Sequence, residues 1–186
     1  ALSERVSGTV VLSNIARDLE IAPKTAKAWL NVLEKTYSVF TVRPHSKGSS
    51  AAITKAPKVY FYDNGDVLGD DGARFENLVA SHLLKRANYL EDLTGDAYEL
   101  RHLRDKHGHE IDFVVLRNGV PVALIEAKLS DTERSPSFRY YRERLKAPAC
   151  IQLVMNLDRP STRDGVSVVP AASWLSRPLD EGFSGS

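Results

Sequence analysis

The chain has 186 residues, 42% of them hydrophobic and 26% charged, which is enough for one sizeable core or two small ones in an ordinary globular protein. No apolar run approaches membrane-spanning length and no signal peptide opens the chain, so a cytoplasmic protein without a membrane anchor is expected. The lone cysteine, Cys150, excludes an intrachain disulfide, and the apolar residues after it predict burial in a strand. The net charge of +1 conceals an asymmetry: residues 1–58 hold nine Lys/Arg against four Asp/Glu, while the remainder holds sixteen against twenty. A basic front end suits nucleic-acid contact and is equally compatible with a plain solvated face.

Taken in order, Ser13 can cap a short helix over Asn14 to Glu20 that turns Ile15, Ala16 and Leu19 inward. Pro23 suits the first turn of a second helix running to about Lys35. Ala26, Trp29, Leu30 and Leu33, continued by Tyr37, form its expected buried stripe, with Lys24, Lys27 and Asn31 pointing out. A strand over Val39 to Val42 and a Lys/Ser/Gly loop over residues 43–57 follow. The order reads as a winged helix-turn-helix whose wing holds Lys47 and Lys55. If DNA is bound, the second helix is the recognition helix, with phosphates in reach of Lys24, Lys27, Lys47 and Lys55 and with Asn31 available to a base. The competing expectation is that such a module packs against protein.

Lys58 to Tyr62 reads as a strand and Asp63-Asn64-Gly65 as a turn. A helix is predicted from about Asp71 to Ala87, a loop over 88–96, and a strand from Ala97 to Arg104. Asp105 to Gly108 makes a turn flanked by His107 and His109, which have no third His or Cys nearby to form a zinc set and suit phosphate contact at most. A helix over Ser137 to about Lys146, strands at Ala149–Met155 and Val166–Val169, a short helix over Ala171–Leu175 and a frayed Gly/Ser tail complete the chain.

The most informative stretch is Glu110 to Lys128, where two runs rich in Val, Ile, Leu and Phe flank Arg117-Asn118-Gly119 as a β-hairpin. Asp112 opens one strand; Glu126 and Lys128 close the other. Side chains alternate, so a two-residue Asn118-Gly119 turn sets the carboxylates on opposite faces, whereas a three-residue loop with Gly119 as the bulge sets them together. The three-residue loop is the one expected here. Two carboxylates and an ammonium at one end of an apolar hairpin are costly to desolvate unless something binds there.

Asp112, Glu126 and Lys128, in the pattern D-x13-E-x-K across neighbouring strands, resemble the core of the PD-(D/E)XK nucleases, although Ile111 stands where that signature has proline. With the stretches around Ala16–Leu30, Lys58–Gly65, Arg74–Val79 and His107–Val114, most of positions 10 to 130 resembles a domain of unknown function attached C-terminally to AAA-type ATPases in bacteria and archaea. The resemblance implies a winged helix over residues 1–62. After it, over residues 63–186, it implies a restriction-endonuclease-like α/β domain, a mixed sheet flanked by helices. It also implies a C-terminal fragment of a longer protein, since no phosphate-cradling loop of the Walker type is present. Glu76, at the border of an amphipathic stripe, becomes a candidate because a glutamate on the first core helix of such nucleases reaches the metal site.

Phosphodiester hydrolysis needs a neutralised phosphate and a hydroxide. Mg²⁺ or Mn²⁺ supplies both when held by oxygen donors. Asp112 and Glu126 are the expected ligands, with the Ala127 carbonyl as a third donor. Lys128 is placed to steer the attacking water or stabilise developing charge. Two functions therefore stand: a metal-dependent DNA nuclease serving an AAA ATPase, or a non-catalytic DNA- or protein-binding targeting module of that ATPase.

Overall fold

A computed structural model describes residues 1–45, 56–130 and 133–184, which form two compact units, Ala1–Ser81 and His82–Ser186. The wing positions Lys47 and Lys55 lie outside the described residues.

The first unit holds helices α1 (Leu12–Asp18) and α2 (Pro23–Lys35), then strands β1 (Val39–Pro44) and β2 (Lys58–Phe61) paired antiparallel with Val39 opposite Phe61. Ser13 is no cap: the helix begins at Leu12, its N-cap position is Val11, and no side chain caps it. Pro23 opens α2, where its missing N–H costs nothing. Ala26 and Leu30 are buried as expected, but Trp29 is 52% exposed and Tyr37 74%. The buried stripe is thus narrower than the run of apolar residues on α2. Asn77, fully buried, accepts from Phe61 N–H (2.8 Å) and donates to Phe61 C=O (3.0 Å). It thereby satisfies a strand end that would otherwise be buried with its polar groups unmet.

Helix α3 (Asp71–Thr94) continues through the predicted 88–96 loop. Residues 88–94 contain neither Gly nor Pro, and buried Leu90 keeps the helical spacing from Leu83 and Ala87. Gly95, at φ 75°, stops it.

The second unit is built on six strands: β3 (Tyr98–Arg104), β4 (Glu110–Arg117), β5 (Val120–Lys128), β6 (Ala149–Val154), β7 (Ser161–Arg163) and β8 (Val166–Pro170). Their order is β3-β4-β5-β6-β8-β7, with parallel pairing for β5–β6 and β6–β8 and antiparallel pairing elsewhere. The parallel step from β5 to β6 requires a crossover, supplied by α4 (Pro136–Leu145). Phe138 and Tyr141 of α4 pack with Val114, Leu116, Leu124 and Cys150. Phe113, Val115 and Ile125 on the opposite face are equally inaccessible, so the central strands are covered on both sides. Helix α5 (Ala171–Leu175) buries Trp174, whose Nε1–H donates to the Ser184 carbonyl (3.0 Å). With Phe183 also buried, the tail is held down as far as residue 184, contrary to the expected fraying.

The hairpin turn departs from the expected loop. Asn118 (φ 50°) and Gly119 (φ 77°) form a two-residue turn, with Arg117 opposite Val120. The ladder then slips: Leu116 faces Pro121, but Val115 faces Ala123, leaving Val122 extra. Pro121 cannot donate to the ladder, and a bulge beside it is the ordinary accommodation. This extra residue restores the parity that the short turn would have lost.

Candidate functional site

Beyond the bulge Phe113 faces Ile125, so Asp112 and Glu126 stand together on the opposite face of the two neighbouring strands. Both are buried, at 8% and 3% exposure, while Lys128, two residues beyond Glu126 on the same face, reaches the surface. Its Nζ lies 3.2 Å from Glu126 Oε2. Asp112 Oδ2 accepts from the Ala127 N–H at 3.1 Å, which ties one strand's carboxylate to the other strand's backbone. Burial and then the neighbouring Asp112 carboxylate push the Glu126 carboxyl up to about 7, against the opposing pull of Lys128 and of a hydrogen bond from Ser135.

Sequence reasoning missed one supporting group. Gln152 on β6 pairs in register with Glu126 and is completely buried. Its Oε1 accepts from Ser135 N–H (3.3 Å) and its Nε2 donates to the Glu133 carbonyl (2.9 Å). Gln152 thus holds the segment leading into α4 against the strand next to Glu126. Its signal was one amide inside the apolar run Cys150-Ile151-Gln152-Leu153-Val154, where an unpaired polar group would be costly.

Glu76 lies in the first unit, where it accepts from the Tyr60 hydroxyl (2.6 Å) and from Lys58 Nζ (3.2 Å). Lys58 is 1% exposed, so this ion pair meets a buried ammonium's need for a counter-charge. Lys24, Lys27 and Asn31 are exposed on α2, as expected. His109 Nδ1 sits 3.0 Å from Asp105 Oδ2, and its ring stacks on Tyr140 at 4.0 Å; His107 donates its backbone N–H to Asp105 and meets the His109 ring edge-on. Among the described residues, no group of three or more His, Cys, Asp or Glu side chains is arranged to hold a metal ion. Two carboxylates with backbone and solvent oxygens are the available donor set, one that suits a hard cation such as Mg²⁺ and not zinc.

Fold and site define an α/β protein with a buried acidic notch on the central strands of a mixed sheet. Residues 71–174 match the family described as Domain of unknown function (DUF4143), and the chain belongs to that family. Residues 1–67 match a second, Domain of unknown function (DUF8612). No curated protein and no solved structure matches the chain. Among the described residues, no helix is long and apolar enough to cross a membrane.

Proposed function

We propose that the chain is a divalent-cation-dependent DNA nuclease of the PD-(D/E)XK type, forming the C-terminal part of an AAA-type ATPase. One observation supports this reading above the rest: Asp112 and Glu126 share a buried notch on adjacent strands, with Lys128 Nζ 3.2 Å from Glu126. Surface ion pairs are common and worth little, but burying two like charges together is unfavourable without a cation. The order of two helices and a strand pair ahead of the mixed sheet fits a winged helix preceding a nuclease-like domain. The family itself is common at AAA ATPase C-termini, which supports the ATPase assignment.

Asp112 and Glu126 would hold Mg²⁺ or Mn²⁺, with the Ala127 carbonyl as the third protein oxygen. When bound, the ion would neutralise phosphate charge and make a water acidic enough to attack at neutral pH. Lys128, at the lip of the notch, would orient that water and offer its ammonium to the charge that develops on the phosphoryl oxygens. Glu126 must give up its proton before it can ligate, so cation uptake should strengthen as pH rises through about 7.

The test is titration calorimetry with Mn²⁺ on the native chain and on Asp112→Ala at pH 8. The native chain should bind, releasing part of a proton, and the variant should bind at least tenfold more weakly. A native chain that takes up no ion would refute the nuclease reading.

The second reading, a targeting module, is favoured by α2, which presents Trp29 and Val32 (56% exposed) beside Lys24 and Lys27. Exposed aromatic and aliphatic groups of this kind suit a protein partner better than a phosphate backbone. Lys24→Ala with Lys27→Ala separates the two. If α2 meets DNA, the log–log salt slope of oligonucleotide binding should fall by about 1.5, in proportion to two lost phosphate contacts. An unchanged slope would assign that face to protein.

A further inference from the structure

We infer that a concave pocket along α4 is a phosphate-binding subsite that seats the polynucleotide strand whose reactive phosphodiester lies at the Asp112–Glu126 notch. The choice of a polynucleotide rests on the nuclease reading above; the pocket itself is argued from its own geometry. It has a volume of about 820 Å³ and is lined by Arg134, Arg139, Arg142 and Lys146, against Glu143 and Asp164. Four cations facing two carboxylates give this concavity a net positive charge in a chain that is nearly neutral overall.

Arg142 is held in place, while Arg139 Nε lies 3.8 Å from Glu143 Oε1. Arg142 donates to the Asp164 carbonyl at 2.8 Å and lies so close to Gly165 that a Cβ there would stand 2.0 Å from Nη1. Gly165, at φ 72°, is therefore required twice, for its backbone conformation and for the space the guanidinium fills. Arg142 is thus fixed in place with donors to spare. The Nε of Arg134 is buried and has no hydrogen-bond partner among the described residues. Guanidinium forks match phosphate oxygens in pairs, which a lysine-only surface would not do.

Ser135 joins the pocket to the notch. It lines the pocket, and its N–H donates to Gln152, the in-register neighbour of Glu126 on β6. A strand laid across Ser135 would run from the carboxylates towards the arginines.

Arg139 and Lys146 are solvent-exposed, so Arg139→Glu with Lys146→Glu leaves the core and the Arg142 contact intact. The experiment uses the 186-residue chain, without metal, and fluorescence anisotropy of labelled single-stranded and duplex oligonucleotides. Mn²⁺ calorimetry is run alongside on the same proteins. The expected result is a loss of oligonucleotide affinity of tenfold or more at low salt, a salt slope smaller by about 1.5, and an unchanged Mn²⁺ isotherm. Unchanged oligonucleotide affinity with normal Mn²⁺ binding would overturn the subsite and leave the notch reading standing. Loss of oligonucleotide binding in a chain that takes up no Mn²⁺ would keep the subsite and refute the nuclease. A poly-glutamate of matched charge that binds the native chain as tightly, and is lost as fully in the variant, would make the pocket a site for acidic protein and overturn the inference.

Discussion

Lys128→Gln is expected to slow metal-dependent cleavage of an oligonucleotide by about 100- to 1,000-fold, the range typical for removing one donor aimed at transition-state charge. Lys128 is the member of the notch that reaches solvent: its side chain is 38% exposed, while that of Glu126, 3.2 Å away, is 4% exposed. A lysine there solely to neutralise Glu126 would affect binding of the ion and not the chemical step. The two roles separate in one data set. Without its ammonium, Glu126 loses a neighbouring charge that favours its ionised form, so Mn²⁺ affinity should fall more at pH 6.5 than at pH 8.5. The rate loss should persist at pH 8.5 and saturating Mn²⁺, where binding no longer limits. Lys128→Arg should recover little, because a planar fork cannot replace a compact ammonium at a water-steering position. A Lys128→Gln protein that cuts at the native rate under saturating Mn²⁺ would reduce Lys128 to half of a surface ion pair.

The hairpin shows how far periodicity alone can reach. Alternation correctly paired Asp112 with Glu126 on one face, but through a three-residue loop that does not form. The two-residue turn at Asn118-Gly119 and the bulge at Val122 together give the same parity. Pro121, whose missing N–H makes a regular ladder impossible at that point, was the legible cue for the bulge. The predicted helix ends at about Ala87 and gives way to a loop holding Asp92 and Gly95, yet nothing before Gly95 breaks the helix. Apolar character alone places Trp29 and Tyr37 in the interior, yet both stand exposed. The notch carboxylates were legible because charge inside an apolar hairpin is conspicuous. Gln152 and the α4 arginines were not, because their meaning depends on which strand and helix stand beside Glu126, and that is a tertiary fact.

Glu126→Gln is expected to stabilise the second unit at alkaline pH while abolishing any stabilisation by Mg²⁺. The Glu126 carboxyl titrates at about 7 in the folded chain, against 4.5 in its ordinary state, first because it is buried and second because Asp112 is beside it. The sign follows from proton binding. Below about pH 4.5 the group is protonated folded and unfolded alike, and its contribution to stability is fully present. Between that value and 7 the folded chain keeps a proton that the unfolded chain has released, so stability falls as pH rises, and above 7 the loss is complete at about 3 kcal/mol. Gln has nearly the same shape and never ionises. The variant should match the native chain near pH 4 and exceed its stability by about 2–3 kcal/mol at pH 8.5, less a few tenths for the half-exposed contact with Lys128. Urea unfolding followed by tryptophan emission reads this unit, since Trp174 is buried in it and Trp29 is already largely exposed. Adding Mg²⁺ at 100 times its dissociation constant should return about 2.7 kcal/mol to the native chain at pH 8.5 and nothing to the variant. The native protein would then be less stable than its own amide isostere until the ion arrives, as expected of a site kept for function at the expense of stability. Equal stability of the two proteins at pH 8.5, with the same response to Mg²⁺, would mean that the pair is already neutralised by its protein neighbours and has no need of a cation.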